Sequence, residues 1–272
     1  MDYAGSTEAE VKAARRWLAK RGVEVEEPTT LLALRLGARA GARPPGYWAW
    51  MVVLLVAGTI AGFVLGFLPL YLGLHDADLP EGRLLFGVYV MTLLSVWLPV
   101  RGADRRAVAH LAGRGIYRPR PSWRASLSGW NLASAVITFG GGAVLAVVMA
   151  VTTSKPIWAL GWLGLLMLGA VVVAVFLSGV LQRPVIAEDE ASLAVDSLLR
   201  GDDQYLAFPA LFAYPAIFDP LVSGGQPREF TPWLVGYFAL AVVTQGIGFY
   251  VQYRHRKLPA GDYGTVAVAR ST

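Results

Sequence analysis

The chain has 272 residues, of which 55% are hydrophobic and only 16% are charged. Average soluble domains carry roughly 25% charged residues, and a soluble core of this length cannot cover so much apolar surface, so the composition points to lipid as the main solvent. The absence of cysteine excludes disulfides and cysteine-ligated metal centres, and the net charge of +5 comes from basic residues that flank apolar stretches, which argues for membrane topology and against nucleic acid as a partner.

Residues 1–46 are predicted to form a cytoplasmic or interfacial amphipathic region. Thr7 and Glu10 match a capping box, and the helix that begins there is expected to stop at Gly22. A second short helix begins at Thr29 or Thr30. The apolar face of the first helix either lies on anionic lipid or contacts a partner, because the amphipathic pattern serves both. That face consists of Val11, Ala14, Trp17 and Leu18.

Six stretches are long and apolar enough to cross a bilayer, which requires about 20 mainly apolar residues in a helix. The fifth gives the weakest signal, because Pro209, Pro215 and Pro220 each remove a backbone donor. We interpret it as a span that the prolines break, with a re-entrant hairpin or an interfacial segment as the alternatives. The stretches are Tyr47–Leu74, Leu84–Val100, Asn131–Val151, Ile157–Leu181, Tyr205–Val222 and Trp233–Val251.

The basic residues give these spans an orientation. Of the 24 lysines and arginines, all but Arg83, Lys155 and Arg228 fall on one side of the six-span arrangement. The positive-inside rule makes that side cytoplasmic, and with only five spans the basic residues after the last span would move outside. The sequence therefore predicts an all-α polytopic membrane bundle of six transmembrane helices over residues 47–253. The bundle lies in the cell membrane, with the N-terminal region and a 254–272 tail in the cytoplasm.

Two sets of glycines are expected to bring helices close together. Gly58, Gly62 and Gly66 form a doubled G-x-x-x-G on one stripe of the first span, and this stripe faces either another span or another subunit. A second set indicates a close contact or a pliable point in the third span, and it consists of Gly140, Gly141 and Gly142.

The spans contain few strongly polar side chains. In the sixth span, the hydroxyl of Thr244 can bond to its own helix, but the amide of Gln245 must find a partner in hydrocarbon, either on another helix or on a substrate. No charged residue lies near the middle of the five confident spans, and Asp219 is expected to be solvated near the outer end of the fifth. The chain therefore lacks the groups on which ion-coupled transporters rely.

Two charged elements are predicted on the cytoplasmic side. Span two continues as Arg101–Gly113 into a basic loop, and an acidic segment opens a short helix that ends near Arg200. The basic loop can be explained as a signal that sets membrane topology, and the acidic residues can be explained by their favourable interaction with the helix macrodipole. Docking of a partner is the functional alternative for both elements. A metal site near Asp202 and Asp203 lacks a calcium-loop pattern. The candidate docking residues are Arg101, Arg105, Arg106, Arg118, Arg120, Glu188, Asp189 and Glu190.

Motifs of catalysis are missing from the sequence. The histidines His75, His110 and His255 lie far apart and form no H-E-x-x-H zinc pair. The chain has neither a G-x-S-x-G elbow nor a phosphate-binding loop of the G-x-x-x-x-G-K-[ST] type. We therefore predict no catalytic residue, no metal site and no cofactor.

The order of these elements resembles the membrane subunits of ABC-2-type exporters. An amphipathic helix at Thr7–Arg21 precedes six spans, and the largest internal cytoplasmic loop, Arg101–Trp130, lies between spans two and three. The resemblance implies that the first helix lies at the interface and that this loop contacts a separate ATPase. The loop Ser223–Glu229 departs from the family, being too short for paired re-entrant helices unless the fifth segment supplies them. The stretch Arg183–Asp203 is similar to a segment of small actinobacterial multi-pass proteins.

Three functions follow as hypotheses. The leading one is a permease-like subunit of an ATP-driven exporter, which works as a homo- or hetero-oligomer with a separate ATPase, because the spans lack coupling charges of their own. A non-transporting scaffold or accessory subunit explains the glycines and the basic face equally well. A lipid-acting membrane enzyme would hold a phosphate with the cations of Arg101–Arg124 and use a carboxylate of Glu188–Asp203 as a base.

Overall fold

The computed structural model describes residues 5–42, 47–71, 73, 79–111, 127–222, 224–254 and 257–265, with the side chains of 65, 68–70 and 84 excepted. The described chain is all-α apart from one pair of two-residue strands. The predictions for Leu74, Gly113, Arg118, Arg120, His75 and His255 lie outside the described residues.

Six helices of the described chain are long and apolar enough to cross a membrane, which confirms the predicted number of candidate spans. Their bounds lie close to the predicted ones, and the second continues to Leu111, in agreement with its predicted extension beyond Val100. The fifth is part of a longer helical stretch, Glu190–Val222. Span one is α3 (Tyr47–Tyr71), and span two is α4 (Phe86–Leu111) after a 3-10 turn (Glu81–Leu85). Span three is α5 (Gly129–Ala135) and α6 (Gly142–Thr152), joined by a π-helical turn (Val136–Gly141), and span four is α7 (Pro156–Leu181).

The remaining elements are shorter, apart from the last span. They are α1 (Glu8–Ala19), β1 (Glu27–Pro28), α2 (Thr30–Arg39), α8 (Glu190–Gln204), two 3-10 turns (Tyr205–Ala207 and Pro209–Ala213), α9 (Pro215–Val222), a 3-10 turn (Arg228–Phe230), span six as α10 (Thr231–Tyr253), and β2 (Gly264–Thr265). The two 3-10 turns and α9 together form segment five, which corresponds to the predicted fifth span.

The short helices begin where side chains satisfy their free backbone N–H groups. The Thr7 hydroxyl accepts from the backbone N–H of Glu10, whose carboxylate accepts from that of Thr7 at 2.9 Å, so the predicted capping box is present. Thr29 caps α2 in the same way. Asp189 caps α8 and forms a reciprocal pair with Ser192.

The first and the last described segments of the chain belong to one layer at the same end of the bundle. We call this the terminal layer, and it comprises residues 5–42, the part of α4 after Val100, residues 182–204 and residues 257–265. The backbone of Glu27 pairs with Thr265, and the apolar core of the layer is formed by side chains of α1, α2, α8 and the C-terminal segment. This core includes Ala14, Leu18, Leu32, Leu36, Val195, Leu199 and Tyr263. The apolar face of α1 is thus covered by the chain itself.

Segment five passes from the terminal layer to the opposite face of the bundle. At its start, the side chain of Gln204 accepts from the backbone N–H of Ser128, just before span three. Near its end, Asp219 accepts from the N–H of Gly82 at the start of span two and from the indole of Trp158 at the start of span four. Asp219 is fully buried, so the expectation that it is solvated is wrong, because these donors enclose it.

The proline-rich segment is also the most enclosed part of the bundle. Of its most apolar window, 56% is buried, compared with 11% for span one. Ala207, Ala210, Ala213 and Ala216 are all buried, and their small side chains let neighbouring helices approach. Broken helical turns are tolerated at membrane depth only where protein covers the backbone. The position of segment five at the centre of the bundle therefore explains why a stretch of low hydropathy and broken helical turns can lie among the spans.

Span one packs at the edge of the bundle through its glycine stripe. Gly58, Gly62 and Gly66 are all buried, and a Cβ on Gly87 of span two would lie 2.5 Å from the carbonyl oxygen of Gly58 and 3.0 Å from the nitrogen of Gly62. Gly58 and Gly62 therefore face a span of the same chain. The rest of span one exposes large apolar side chains, as a surface in contact with lipid would.

The second glycine set has only one close contact. A Cβ on Gly142 would lie 2.8 Å from the Tyr237 hydroxyl, whereas Gly140 and Gly141 are exposed. These two glycines lie in the π-helical turn, where the intrahelical bonding is shifted by one residue. The Tyr237 hydroxyl donates to the Thr138 carbonyl at 2.6 Å, which joins span six to span three within this turn.

Candidate functional site

A network of buried ion pairs lies where the terminal layer meets the spans. It comprises four arginines and three aspartates, which come from α2, the extension of α4, the exit of span four and α8. We call these residues the ion-pair network: Arg35, Arg39, Asp104, Arg183, Asp196, Arg200 and Asp203. None of their side chains is more than 7% exposed.

Arg35 lies at the centre of the network and is fully buried. Its Nε donates to Asp104 at 3.2 Å, and its Nη2 donates to Asp196 at 2.7 Å. Its Nη1 donates to the backbone carbonyl of Ile186 at 2.8 Å. One side chain of α2 therefore holds span two's extension, α8 and the linker before α8. The planar guanidinium suits this role because its donors have a fixed geometry.

Arg39, one helical turn further along, joins the same elements. Its Nε and Nη2 donate to the two carboxylate oxygens of Asp203 at 2.8 and 2.7 Å, which is the bidentate arrangement. Its Nη2 also donates to Asp104 at 2.9 Å. Because Asp203 lies in the last turn of α8, this contact fixes the start of segment five against α2.

Arg183 and Arg200 fasten the exit of span four. Arg183 donates to Asp104 at 2.7 Å and also to Asp203. Arg200 donates to the carbonyl of Arg183 at 3.0 Å and to Asp196 at 3.2 Å, and it also reaches the carbonyl of Val180 in the last turn of α7. A cation there complements the negative end of the helix dipole. These contacts attach the turn between span four and α8 to the end of span four and to α8.

Charge is nearly balanced inside the network. Four arginines face three aspartates, which leaves one excess positive charge. Burial lowers the pKa of Arg35 in spite of Asp104 and Asp196. For Arg39 and Arg183, burial also disfavours the charged form, but the facing aspartates outweigh it, so both pKa values lie above the ordinary arginine value. Every guanidinium stays protonated, and the stability of the layer depends on the aspartates remaining ionised.

A cavity of about 350 Å³ adjoins the network on the side of spans one, two and six. Arg39, Asp202 and Asp203 form its polar wall, and Trp17, Pro99 and Leu199 lie on its apolar wall. Asp202 accepts from Gln252 of span six at 2.9 Å and lies 3.6 Å from Arg21, whose guanidinium stacks on the Trp17 ring. The cavity thus lies beside charged groups that pair with one another, at the level where the spans enter the layer.

Some of the predicted docking residues form contacts within the chain, and others are exposed. Arg101 lies over the Trp97 ring and donates to the carbonyl of Gly179 at 3.3 Å, so it joins span two to span four. Arg106 pairs with Glu10 of α1, and Asp189 is the cap of α8. Arg105, Glu188 and Glu190 are exposed. The charged elements therefore serve partly to build the layer and partly to form its surface.

The intramembrane residue Gln245 has a partner on another helix. Its Oε1 accepts from the Ser134 hydroxyl of span three at 2.7 Å, while its Nε2 has no hydrogen-bond partner among the described atoms. Thr244 beside it is buried. Of the two predicted roles for Gln245, the contact between helices is present.

The ion-pair network has a structural role, because its side chains bind one another and hold the surrounding elements together. In the part of the chain that the structure describes, no group of three or more histidine or acidic side chains has the arrangement of a metal site. Asp104, Asp196 and Asp203 already bind guanidinium groups, so none of them is available as a general base. Removing one partner from such a buried pair typically costs about 3–5 kcal/mol of stability.

Sequence reasoning did not identify this network. It treated the arginines only as topology signals, considered Asp203 only for a metal site, and passed over Asp104 and Asp196. One signal was available: Arg35 interrupts an apolar helix, and Arg39 follows at the i+4 position, so α2 presents two cations on one face beside leucines. Two arginines beside leucines are costly to bury unless acidic side chains pair with them. The pattern therefore indicates acidic partners for Arg35 and Arg39.

Comparisons with known proteins give no relative from which a function could be transferred. No protein-family model matches the chain, and neither a curated protein nor a solved structure shows significant similarity to it.

Proposed function

We propose that the protein is a membrane subunit of an ATP-driven exporter, powered by a separate ATPase that docks on the terminal layer. The subunit works as a homo- or hetero-oligomer and crosses the cell membrane six times. The layout of a short N-terminal helix, six spans and an extended cytoplasmic continuation of span two supports the resemblance to ABC-2-type permease subunits. In this proposal the terminal layer is cytoplasmic, because nearly all the basic residues lie on its side.

The observation that carries the proposal is the ion-pair network at the base of the spans. It joins α2 to span two through Asp104, to the exit of span four through Arg183, and to the entry of segment five through Asp203. A partner that displaces this layer therefore displaces three spans together. Packed elements with fixed polar contacts transmit a movement because they change arrangement as units.

A co-purification experiment tests this proposal. The tagged protein is purified from its own host in mild detergent, and the eluate is examined for a stoichiometric subunit with ATPase activity. Glu188 is exposed beside the cap of α8, so Glu188→Lys is expected to reduce ATPase recovery several-fold. Glu229→Lys reverses an exposed charge at the opposite face and serves as the matched control. An eluate without a stoichiometric ATPase contradicts the proposal.

The scaffold or accessory subunit is the second candidate. Both cavities described for this chain lie at the terminal-layer end of the bundle, and polar contacts such as Ser134–Gln245 join the spans in between. Stoichiometric recovery of a partner without ATPase activity would favour this candidate. A lipid-acting enzyme receives less support, because two of the carboxylates in the stretch predicted to supply a base, Asp196 and Asp203, bind the chain's own arginines.

A further inference from the structure

A second cavity forms a groove between span one and span two at their terminal-layer ends. It encloses about 610 Å³, which falls within the roughly 300–1,000 Å³ typical of small-molecule sites. We call it the span-one groove. Its apolar walls include Trp50, Met51 and Leu54 of α3 and Leu98 of α4. Leu98 and Trp50 are both substantially exposed, so the groove opens sideways to the surroundings of the bundle.

One end of this groove is cationic. Arg105 and Arg106 line it about two turns beyond Leu98 on the same helix. Arg105 is exposed and has no ion-pair partner among the described residues, whereas Arg106 is partly compensated by Glu10. Gly102 lies between the apolar and cationic parts, and a Cβ at this position would meet nothing within 4 Å. The missing side chain therefore leaves open space at the middle of the groove.

The order of these walls matches the order of layers in a bilayer leaflet. Leu98 and Arg105 are seven positions apart, which corresponds to about 10 Å along a helix. The charged end therefore lies at the headgroup level when Leu98 lies at the edge of the hydrocarbon core, which is about 30 Å thick overall. Tyr47 and Trp50 also line the groove, and their amphipathic rings prefer the interface between the hydrocarbon core and water.

We infer that the span-one groove binds one anionic phospholipid, with its phosphate against Arg105 and Arg106 and an acyl chain along Leu54 and Leu98. The apolar wall alone would accept any acyl chain, and the guanidinium pair selects the negatively charged headgroup. Arginine suits this role because its fork of donors matches a phosphate. The inference concerns the purified membrane subunit alone and does not depend on any ATPase.

Native mass spectrometry of the detergent-solubilised full chain tests the site. The protein is mixed with equal amounts of dioleoylphosphatidylglycerol and dioleoylphosphatidylcholine, and the bound species are counted. The wild type is expected to retain one phosphatidylglycerol in preference to phosphatidylcholine. Arg105→Gln should weaken this binding about five-fold, the effect of one basic residue near an anionic headgroup. Gly102→Leu should abolish it, because the leucine side chain fills the open space.

Matched controls separate this site from diffuse attraction of lipid. Arg15→Gln removes one exposed charge from the same layer outside the groove, and Gly164→Leu adds the same side chain at an exposed, open position of span four. Both are expected to bind lipid as the wild type does. Equal retention of the two lipids by the wild type, an equal loss in Arg15→Gln and Arg105→Gln, or unchanged binding in Gly102→Leu would overturn the inference. Displacement of the lipid by equimolar glycerol phosphate would overturn it too.

Discussion

At the scale of single residues, Asp104 is the most connected acid of the ion-pair network. It accepts hydrogen bonds from Arg35, Arg39 and Arg183, which come from two separate parts of the chain. Each of these arginines is buried and needs a nearby negative charge to offset the loss of hydration. Asp104 therefore holds the terminal layer together more than any surface ion pair could, since exposed pairs contribute at most about 1 kcal/mol.

Asp104→Asn is expected to destabilise the fold strongly. The substitution keeps the size of the side chain but leaves three buried guanidinium groups without that negative charge, at a cost of about 3–5 kcal/mol. The measurement is the free energy of unfolding of the detergent-solubilised protein. Arg105→Gln removes an exposed charge on the same helix and should change stability by less than about 0.5 kcal/mol. Similar stabilities of the two variants would show that the network does not hold the layer.

At the scale of elements, the contact between spans one and two depends on missing side chains. A Cβ on Gly58 would lie 3.2 Å from the Cβ of Met91 and 2.8 Å from its Cγ. Helices approach this closely in membranes through small residues. Because spans one and two are consecutive in the chain, their pairing needs no partner subunit, and the glycine stripe serves the fold of the single chain.

The cysteine-free sequence allows a direct test of this pairing. Gly58→Cys with Met91→Cys is expected to form an intramolecular disulfide after small adjustments, because disulfides join Cβ atoms about 3.5–4.5 Å apart. Non-reducing electrophoresis after mild oxidation should show a faster monomer band, and each single-cysteine variant is the control. A dimer band from the double variant, with no shifted monomer, would mean that the stripe instead faces another subunit.

At the scale of the whole molecule, the terminal layer brings the first and the last described segments of the chain together at one end of the bundle. Residues near Glu27 pair with Thr265, and the core of the layer includes Tyr263 together with α1, α2 and α8. Among the described residues, the basic ones at the other end are Arg83, Lys155 and Arg228, each at the start of a span. The charge distribution thus differs between the two faces in the way that sets membrane orientation.

Cysteine labelling in intact cells tests the orientation. Glu188→Cys in the terminal layer is expected to be protected from a membrane-impermeant maleimide, whereas Glu229→Cys at the opposite face should react. Both side chains are exposed, so accessibility depends only on the side of the membrane. After permeabilisation both should react equally. The reverse pattern in intact cells would place the terminal layer outside and would contradict the positive-inside assignment.

The features that depend on neighbouring residues follow from the amino-acid sequence alone. The length of apolar stretches predicted the six candidate spans, and the capping box at Thr7 and the threonine at the start of α2 predicted where short helices begin. These signals are local. Whether a helix can cross a bilayer depends on the residues of that helix, and whether its first N–H groups find a partner depends on the few residues at its start.

Which side chains meet depends on the tertiary fold. Arg35 and Asp196 are 161 positions apart in the chain, and Arg39 and Asp203 are 164 apart. Nothing in the spacing of the sequence brings such partners together, so the ion-pair network was not predictable as a site. The same reason applies to Asp219 and to the burial of segment five. Prolines and a carboxylate look unsuited to a membrane when only lipid is considered, and they become stable when other helices supply the donors and cover the backbone.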